Sequence, residues 1–425
     1  MSANRRQFLK ASLAASTLVS LGPTVPSFLA RTAQAAAPRR SAKDTILVVV
    51  QLAGGNDGLN SVVPHGDDCY AAARPTLRLE PARLHKIDDL LGFHPEMRAF
   101  ARLFRDGLAS VVQGVGYPNP HQGHFESMHV WQTARLPGSP AETGWIGRAA
   151  DHVRRPDDTR AMAVYVGRIA TPFAVNAQRA MVPTVRSIED CLFREPPPPG
   201  PDGPAPARSG EKSTGESAGS KAARPEPLAD FLRQSTLAAY ASHRQIDGVT
   251  RNETRAAVYP PSQLAQMFQI IVRLIRADLG IRIFYTELGG QEPGGFDTHA
   301  NQAANHGALL RQLSESVAAL VEDLKRDRLL DRVVLMTFSE FGRTVHENGR
   351  RGTDHGSAAP VFLAGGGLQG GVIGPHPGFD QLENGGQKHH TDFRRLYATL
   401  LDQWLGFDGR AILGEKFAPV GILRG

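Results

Sequence analysis

The fold of this chain is decided by the stretch Thr45-Ile46-Leu47-Val48-Val49-Val50-Gln51-Leu52. A run of aliphatic and β-branched residues with almost no polar interruption is typical of a strand covered on both faces in a parallel sheet. Five further strands are predicted on the same grounds at residues 108–115, 161–166, 281–285, 333–338 and 361–364. Together these stretches are predicted to form the central sheet of the fold.

Helices are predicted between the later strands, over residues 261–279 and 301–326. The second of these carries apolar residues at three- and four-residue spacing, as in Leu309, Leu313, Val317 and Leu320. This spacing places the apolar side chains on one face of a helix that covers a sheet. The sequence therefore predicts an α/β fold, in which a mostly parallel sheet is covered by helices on both faces.

Polar clusters follow the predicted strands, at the edge of such a sheet where ligands usually bind. The two most distinctive clusters are Gly294-Gly295-Phe296-Asp297-Thr298-His299 and Gly352-Thr353-Asp354-His355-Gly356. Other strands are followed by loops that carry Asp57, His124, and Glu340 with Arg343. Carboxylate and imidazole groups are ligands that divalent zinc, manganese or iron accept. Because five loops bring such groups to one rim, the sequence favours a hydrolytic metal site.

The first 35 residues are predicted to be an export signal. They begin with a twin-arginine motif, Asn4-Arg5-Arg6-Gln7-Phe8-Leu9-Lys10. A weakly apolar stretch at residues 11–21 follows, which is too short to span a membrane, and Ala33-Gln34-Ala35 offers a cleavage site. We therefore expect the twin-arginine translocase as a partner during export, a periplasmic or secreted mature protein, and no stable membrane span.

Charge and cysteine content exclude several other classes of protein. The formal net charge is +6, and it falls to +2 without residues 1–35, which hold four basic and no acidic side chains. A nucleic-acid role therefore gains no support. Cys69 and Cys191 are too few for a disulfide scaffold, and whether they form one disulfide is not decided by the sequence.

The composition changes abruptly over residues 195–227, which begin with four consecutive prolines at 196–199 and are poor in apolar residues. Such a composition predicts disorder. The segment could be a surface insertion within one domain or a linker between two domains. The insertion is favoured, because neither half alone shows a complete series of strands and helices. We therefore expect a single domain over residues 44–425.

These motifs give the chain a resemblance to a bacterial family of uncharacterised, twin-arginine-exported proteins grouped with the alkaline phosphatase and sulfatase superfamily. The resemblance is carried by residues 51–60, His124-Phe125, Trp131-Gln132-Thr133, residues 295–299, residues 338–344 and residues 352–356. It implies an alkaline phosphatase-like core and one or two divalent ions, such as zinc or manganese. The implied metal ligands are Asp57, Asp297, His299, Glu340, Asp354 and His355.

The chain also departs from the superfamily pattern. Phe341 stands where a histidine ligand often follows, and an aromatic ring cannot coordinate a divalent cation. A site with one metal ion is therefore plausible. Gly123 lies directly before His124, so the nearest hydroxyl group for a nucleophile is that of Ser127. Neither cysteine begins the Cys-x-Pro-x-Arg pattern that formylglycine formation needs.

Two functions follow from the resemblance. The first is metal-dependent hydrolysis of a phosphate or sulfate ester of a small molecule or glycan. Here His124 would act as a general base or a ligand, and Arg343 would contact the anion. The alternatives are a histidine in a polar loop and a structural salt bridge of Arg343 with Glu340 or Glu347. The second function is non-catalytic binding of a glycan, an anion or a protein.

Overall fold

The structure, a computed structural model, describes residues 44–153, 161–187, 257–289 and 295–424. The predicted signal peptide at residues 1–35, the predicted insertion at residues 195–227 and Cys191 lie outside the described residues. The choice between an insertion and a linker therefore stays a prediction.

The strands within the described residues are, in chain order, β1 (Ile46–Ala53), β2 (Val62–Val63), β3 (His85–Lys86), β4 (Gly92–Phe93), β5 (Ala109–Gly116), β6 (Ala163–Val166), β7 (Thr184–Val185), β8 (Ile283–Gly289), β9 (Val333–Phe338), β10 (Ala359–Gly365), β11 (Gly371–Ile373), β12 (Leu382–Glu383), β13 (Gly386–Gln387) and β14 (Thr391–Asp392).

The α-helices are α1 (Gly58–Ser61), α2 (Asp68–Ala73), α3 (Arg98–Arg105), α4 (His124–Thr133), α5 (Trp145–Val153), α6 (Gln263–Arg276), α7 (Gln302–Arg326), α8 (Phe393–Thr399) and α9 (Gly409–Leu413). Short 3₁₀ turns occur at Pro81–Arg83, Pro95–Met97, Phe173–Val175 and Leu330–Arg332, and a π-helical turn at Leu400–Leu405. Within the described residues, no helix combines the length and the apolar character that crossing a membrane requires.

Nine strands form the central sheet, in the order β11-β5-β10-β9-β1-β8-β6-β7, with β14 also paired to β5. Among these described strands, β10 alone runs against the others, because it pairs in antiparallel fashion with both β5 and β9. The start of β10 therefore lies at the rim where the other strands end. The loop that leads into β10 joins the loops that leave β1, β5, β8 and β9.

Successive residues of β1 pack alternately into two apolar clusters, one on each face of the sheet. Ile46, Val48 and Val50 belong to one apolar cluster, which includes residues of α3, α6 and α7. Leu47 and Val49 belong to a second cluster, which includes residues of α4, α5 and α8. Side chains of successive residues point to opposite faces of a strand, so each face needs its own layer of helices. The predicted α/β fold with helices on both faces is confirmed.

The predicted element boundaries agree closely with the structure. The prediction for residues 333–338 coincides with β9, and the predictions for residues 261–279 and 301–326 correspond to α6 and α7. The prediction for residues 281–285 is short, because β8 starts later and continues to Gly289. Beyond residue 285 the strand continues with Thr286 and Glu287, which are polar and therefore break the apolar pattern, although both are buried.

Candidate metal centre

At the rim where β1, β5, β8 and β9 end, three loops bring three imidazoles to one carboxylate. Oδ1 of Asp297, in the loop after β8, lies 3.0 Å from Nε2 of His299 and 3.2 Å from Nε2 of His355. Its Oδ2 lies 3.4 Å from Nε2 of His124, the first residue of α4. One ligand atom from each of His124, Asp297 and His355 lies within 4.8 Å of the other two. This spacing suits a bound metal ion.

Each imidazole is held through its other nitrogen. Nδ1 of His124 lies 2.9 Å from Oε1 of Glu340. Nδ1 of His299 lies 2.8 Å from Oδ1 of Asp354. Carboxylate oxygens accept hydrogen bonds, so in both residues Nδ1 is the donor and Nε2 is free to coordinate. A carboxylate that fixes the tautomer and orientation of a histidine is a common arrangement behind metal ligands.

His355 follows the same pattern with a backbone partner. Its Nδ1 donates to the carbonyl oxygen of Gln122 at 2.6 Å. The Nε2 atoms of His299 and His355 lie only 3.0 Å apart, and both face Oδ1 of Asp297. Nε2 of His124 is buried without a hydrogen-bond partner. Imidazole nitrogens that converge on a carboxylate form a donor set that fits zinc, manganese or iron.

The electrostatics of the centre also favour a cation. Burial raises the pKa of Asp297, but hydrogen bonds from His124, His355 and Arg343 outweigh it and hold the pKa far below its usual range. The nearby carboxylates of Asp297 and Glu340 raise the pKa of His124 to about 9, although burial opposes this change. The two carboxylates therefore hold positive charge at this position.

Glu340 and Asp354, both predicted as ligands, lie behind the histidines. Glu340 is buried, and its Oε1 also accepts from the backbone N–H of Gly54 at 2.8 Å. Its Oε2 accepts from the hydroxyl of Ser339 at 3.1 Å. With these bonds in place, Glu340 is suited to orient His124 and Asp354 to orient His299.

Arg343 lies beneath the centre and contacts the backbone of several loops. Its guanidinium donates to the carbonyl oxygens of Gly55 at 2.8 Å and Thr353 at 2.9 Å. It also donates to the carbonyl oxygens of Gly54 and Phe296, and it pairs with Oδ1 of Asp297 at 2.6 Å. The structure thus places this side chain in a buried network that joins the loops of the candidate ligands Asp297 and His355. A salt bridge with Glu340 or Glu347 was the structural alternative for Arg343, but the structure pairs it with Asp297.

Asp57 lies apart from the three-residue group. Its two oxygens accept from the guanidinium of Arg74 at 2.7 and 3.1 Å, and Oδ2 also accepts from Gln302 at 2.5 Å. Burial raises the pKa of Asp57, but the Arg74 charge and hydrogen bonds outweigh it, and the pKa falls to about 2. Arg74 was missed by the sequence analysis. The available signal was the rule that a buried carboxylate requires a partner.

The ion pair of Asp57 with Arg74 predicts that the protein loses stability in acid. A carboxyl whose folded pKa of about 2 lies below its ordinary value of 3.8 stabilises the folded state above pH 4. This contribution of about 2 kcal/mol is lost as the pH falls from 4 through 2, since a tenfold change in an acid constant equals about 1.4 kcal/mol. We expect the free energy of unfolding of the metal-free wild type to fall more steeply over this range than that of Asp57→Asn, as measured by urea titration. Parallel pH curves would contradict the assignment.

Phe341 is buried against two of the imidazoles. Its ring centroid lies 5.0 Å from that of His124 and 4.5 Å from that of His355. The β1 loop passes close to this ring, because a Cβ atom at Gly55 would lie 2.4 Å from a Phe341 ring carbon. Phe341 thus occupies space beside the centre that a polar ligand could otherwise fill.

Gly54 is required where the β1 loop meets the Asp297 loop. It has φ +115°, and a Cβ atom there would lie 2.4 Å from the backbone nitrogen of Asp297. We expect Gly54→Ala to destabilise the protein by at least about 1–3 kcal/mol, the usual cost of such a backbone conformation. Gly349→Ala is the control, since a Cβ atom there meets nothing within 4 Å. Equal thermal unfolding midpoints for the two variants would show that the close approach of Gly54 to the Asp297 backbone does not require a glycine.

Ser127, the nearest hydroxyl to His124 in sequence, is fully buried in α4. Its hydroxyl contacts the carbonyl oxygen of His121 and the phenol of Tyr117. This position supports the packing of α4 and does not present a nucleophile at the rim.

An α/β protein with a His/Asp centre at the carboxyl edge of its sheet is the class that the fold and the geometry define. The chain belongs to the family described as "Protein of unknown function (DUF1501)", whose model matches residues 204–417. The predicted membership of an uncharacterised family is confirmed. No curated protein matches the chain.

Solved structures that are similar to this chain include a sulfatase and an alkaline phosphatase. The PsFucS1 sulfatase from Pseudoalteromonas sp. has a TM-score of 0.39 and 10% identity, over 92% of this chain and 74% of that chain. Alkaline phosphatase from the Antarctic bacterium TAB5 has a TM-score of 0.35 and 9% identity, over 78% and 94%. The C-terminal periplasmic domain of EcEptC from Escherichia coli, in complex with Zn, has a TM-score of 0.33 and 10% identity, over 77% and 74%. At these values none of them supports an inference about activity.

Proposed function

We propose that this chain is an exported, metal-dependent hydrolase of phosphate or sulfate esters. The observation that carries the proposal is the convergence of His124, Asp297 and His355, whose ligand atoms lie within 4.8 Å of one another. Export by the twin-arginine translocase and a periplasmic or secreted location are part of the proposal. They are supported by the twin-arginine motif at residues 4–10.

In this proposal His124, Asp297 and His355 hold a single divalent ion. Three protein ligands leave one coordination position open, as in catalytic zinc sites. A second ion is not expected beside it, because Asp57 is already neutralised by Arg74. Phe341 also fills the neighbouring space without offering a donor atom.

The ion, when bound, supplies a Lewis acid that polarises an ester oxygen and lowers the pKa of water. His299 would accept the proton of the attacking water at Nε2, which lies 3.0 Å from Oδ1 of Asp297, and would return it to the alcohol oxygen released when the ester P–O or S–O bond breaks. Asp354 accepts a hydrogen bond from Nδ1 of His299 and stabilises the imidazolium that forms. Water serves as the nucleophile, because Ser127 is buried within α4.

The start of α4 supports a negatively charged substrate. His124 is the first residue of this ten-residue helix, and no side chain caps its first turn. A helix N-terminus carries a partial positive charge and unpaired N–H groups, which favour phosphate and sulfate groups. The ligand His124 and the positive end of α4 thus face the same rim.

Phe125 follows His124 and is 81% exposed, which makes it an apolar surface beside the centre. We propose that it contacts the alcohol part of the ester. Phe125→Ala should raise KM about tenfold, since a lost aromatic contact is worth about 1–1.5 kcal/mol. It should leave zinc affinity unchanged, as measured by chelator competition. An unchanged KM for aryl and glycosyl esters alike would remove Phe125 from the substrate site.

An ester screen tests the proposal. The signal-free protein would be loaded with zinc or manganese and assayed with aryl phosphates, aryl sulfates and phosphorylated or sulfated sugars. We expect hydrolysis of one class, which is lost on chelation and in His299→Gln. Metal-loaded protein that hydrolyses none of them would contradict the proposed activity.

Non-catalytic binding is the second candidate, and the position of His299 favours it. Nε2 of His299 lies 3.0 Å from both Asp297 Oδ1 and His355 Nε2, where it could serve as a fourth ligand. Four protein ligands close a zinc site and are typical of structural sites. Zinc affinity distinguishes the two functions: His299→Gln should weaken zinc binding strongly if His299 is a ligand and only slightly if it is a base.

A further inference from the structure

Gln302 joins the two loops that carry the Asp/His motifs. It is the first residue of α7, and its side chain is fully buried. Its Oε1 accepts a hydrogen bond from the hydroxyl of Thr298 at 3.0 Å and another from the hydroxyl of Thr353 at 2.6 Å. One amide oxygen therefore contacts both loops.

The orientation of this amide is fixed by the ion pair behind it. Nε2 of Gln302 donates to Oδ2 of Asp57, which is held ionised by Arg74. Because a carboxylate only accepts hydrogen bonds, the NH₂ group must face Asp57. The carbonyl oxygen must then face the two threonine hydroxyls, because a flipped amide would set its oxygen against the Asp57 carboxylate and lose that hydrogen bond.

The two threonines are placed directly beside the candidate ligands. Thr298 lies between Asp297 and His299, and Thr353 lies two residues before His355. The backbone supports the same junction, since the N–H of Thr353 donates to the carbonyl oxygen of Thr298 at 3.2 Å. A change at Gln302 would therefore alter the spacing of the two loops.

We propose that Gln302 is a positioning residue for the metal centre, which sets the separation of Asp297 and His355 through the two threonine hydroxyls. This inference rests on the proposed metal site. Partners that orient ligands in this way typically change metal affinity by about 10- to 100-fold. Gln302 itself touches neither the ion nor the substrate.

The test compares Gln302→Met with Thr298→Val and Thr353→Val. The methionine is similar in size and makes none of the three hydrogen bonds, and each valine removes one while keeping its shape. Ser316→Ala is the matched control, because Ser316 is a buried polar residue on the same helix whose hydroxyl contacts Ser262. Zinc dissociation constants would be measured by chelator competition. Hydrogen exchange of residues 295–301 and 352–357 would be measured on the zinc-free protein.

We expect Gln302→Met to weaken zinc binding about 10- to 100-fold and to accelerate exchange in both loops. Thr353→Val added to Gln302→Met should have little further effect, because both variants break the same contact. Ser316→Ala should bind zinc like the wild type. Folded Gln302→Met and valine variants with wild-type zinc affinity and wild-type exchange would overturn the inference.

The two proposals can fail separately. Wild-type protein that does not bind zinc would refute the metal centre, while the exchange comparison would still decide whether Gln302 holds the two loops. If Gln302→Met does not fold, Thr298→Val and Thr353→Val decide the same question with smaller changes.

Discussion

His355→Ala and Asp297→Ala are each expected to weaken zinc binding on the order of 100- to 1,000-fold. Zinc sites in proteins contribute up to about 10–16 kcal/mol in total, so with three protein ligands and one water around the ion, one position accounts for about 2.5–4 kcal/mol. The loss at Asp297 should be the larger, because this carboxylate lies within 3.4 Å of all three imidazoles. Chelator competition with zinc alone gives the dissociation constants.

Both variants are expected to fold, so a loss of zinc affinity would report the loss of a ligand. The side chain of Asp297 is 45% exposed, so its removal leaves no cavity in the core. Arg343 keeps its hydrogen bonds to four carbonyl groups in the absence of this carboxylate. The control is His346→Ala, an exposed histidine between the ligand loops. Wild-type zinc affinity in His355→Ala or Asp297→Ala would refute the ligand assignment.

Arg74→Ala is expected to destabilise the protein by about 3–5 kcal/mol, because it leaves a buried carboxylate without its countercharge. Arg74 and Asp57 are both almost completely inaccessible to solvent. The guanidinium also donates to the carbonyl oxygens of Thr344 at 2.9 Å and Val345 at 2.6 Å, which would lose their partners. Urea unfolding of the metal-free protein at pH 7 measures this loss.

The surface pair of Arg78 and Glu80 provides the control for Arg74→Ala. Their side chains are 43% and 62% exposed, so Arg78→Ala should cost less than about 1 kcal/mol. The double variant Arg74→Met with Asp57→Asn should be more stable than Arg74→Ala, because it removes the uncompensated charge. A similar small loss in Arg74→Ala and Arg78→Ala would show that Asp57 is not held by its ion pair.

The sequence predicted those parts of the fold that depend on local patterns. The apolar run around Val48 and the helical spacing from Leu309 to Leu320 gave the strands and helices that build the sheet. The convergence of the loops that carry Asp297 and His355 also followed from the predicted parallel direction of the strands, since parallel strands end at one rim. The direction of β10 could not be predicted, because a buried strand has the same apolar pattern whether it runs parallel or antiparallel to its neighbours.

The sequence did not show which residues of the candidate centre are ligands and which orient them. Whether Glu340 is a ligand or an orienting partner depends on which nitrogen of His124 faces it, and spacing along the chain does not contain this information. The pairing of Asp57 with Arg74 depends equally on how α2 packs against the β1 loop. Arg343 was a candidate for anion binding because a guanidinium can make a bidentate contact with phosphate or sulfate, whereas here it is buried and donates to carbonyl groups.

The most direct test of the metal centre is elemental analysis of the signal-free protein, residues 36–425, after mild purification and again after zinc reloading and desalting. We expect one transition-metal ion per chain in the wild type and a large loss of bound metal in Asp297→Ala. No retained metal in the wild type, even after reloading, would contradict the metal centre. Two tightly bound ions per chain would contradict the single-ion site and the role of Arg74 beside it.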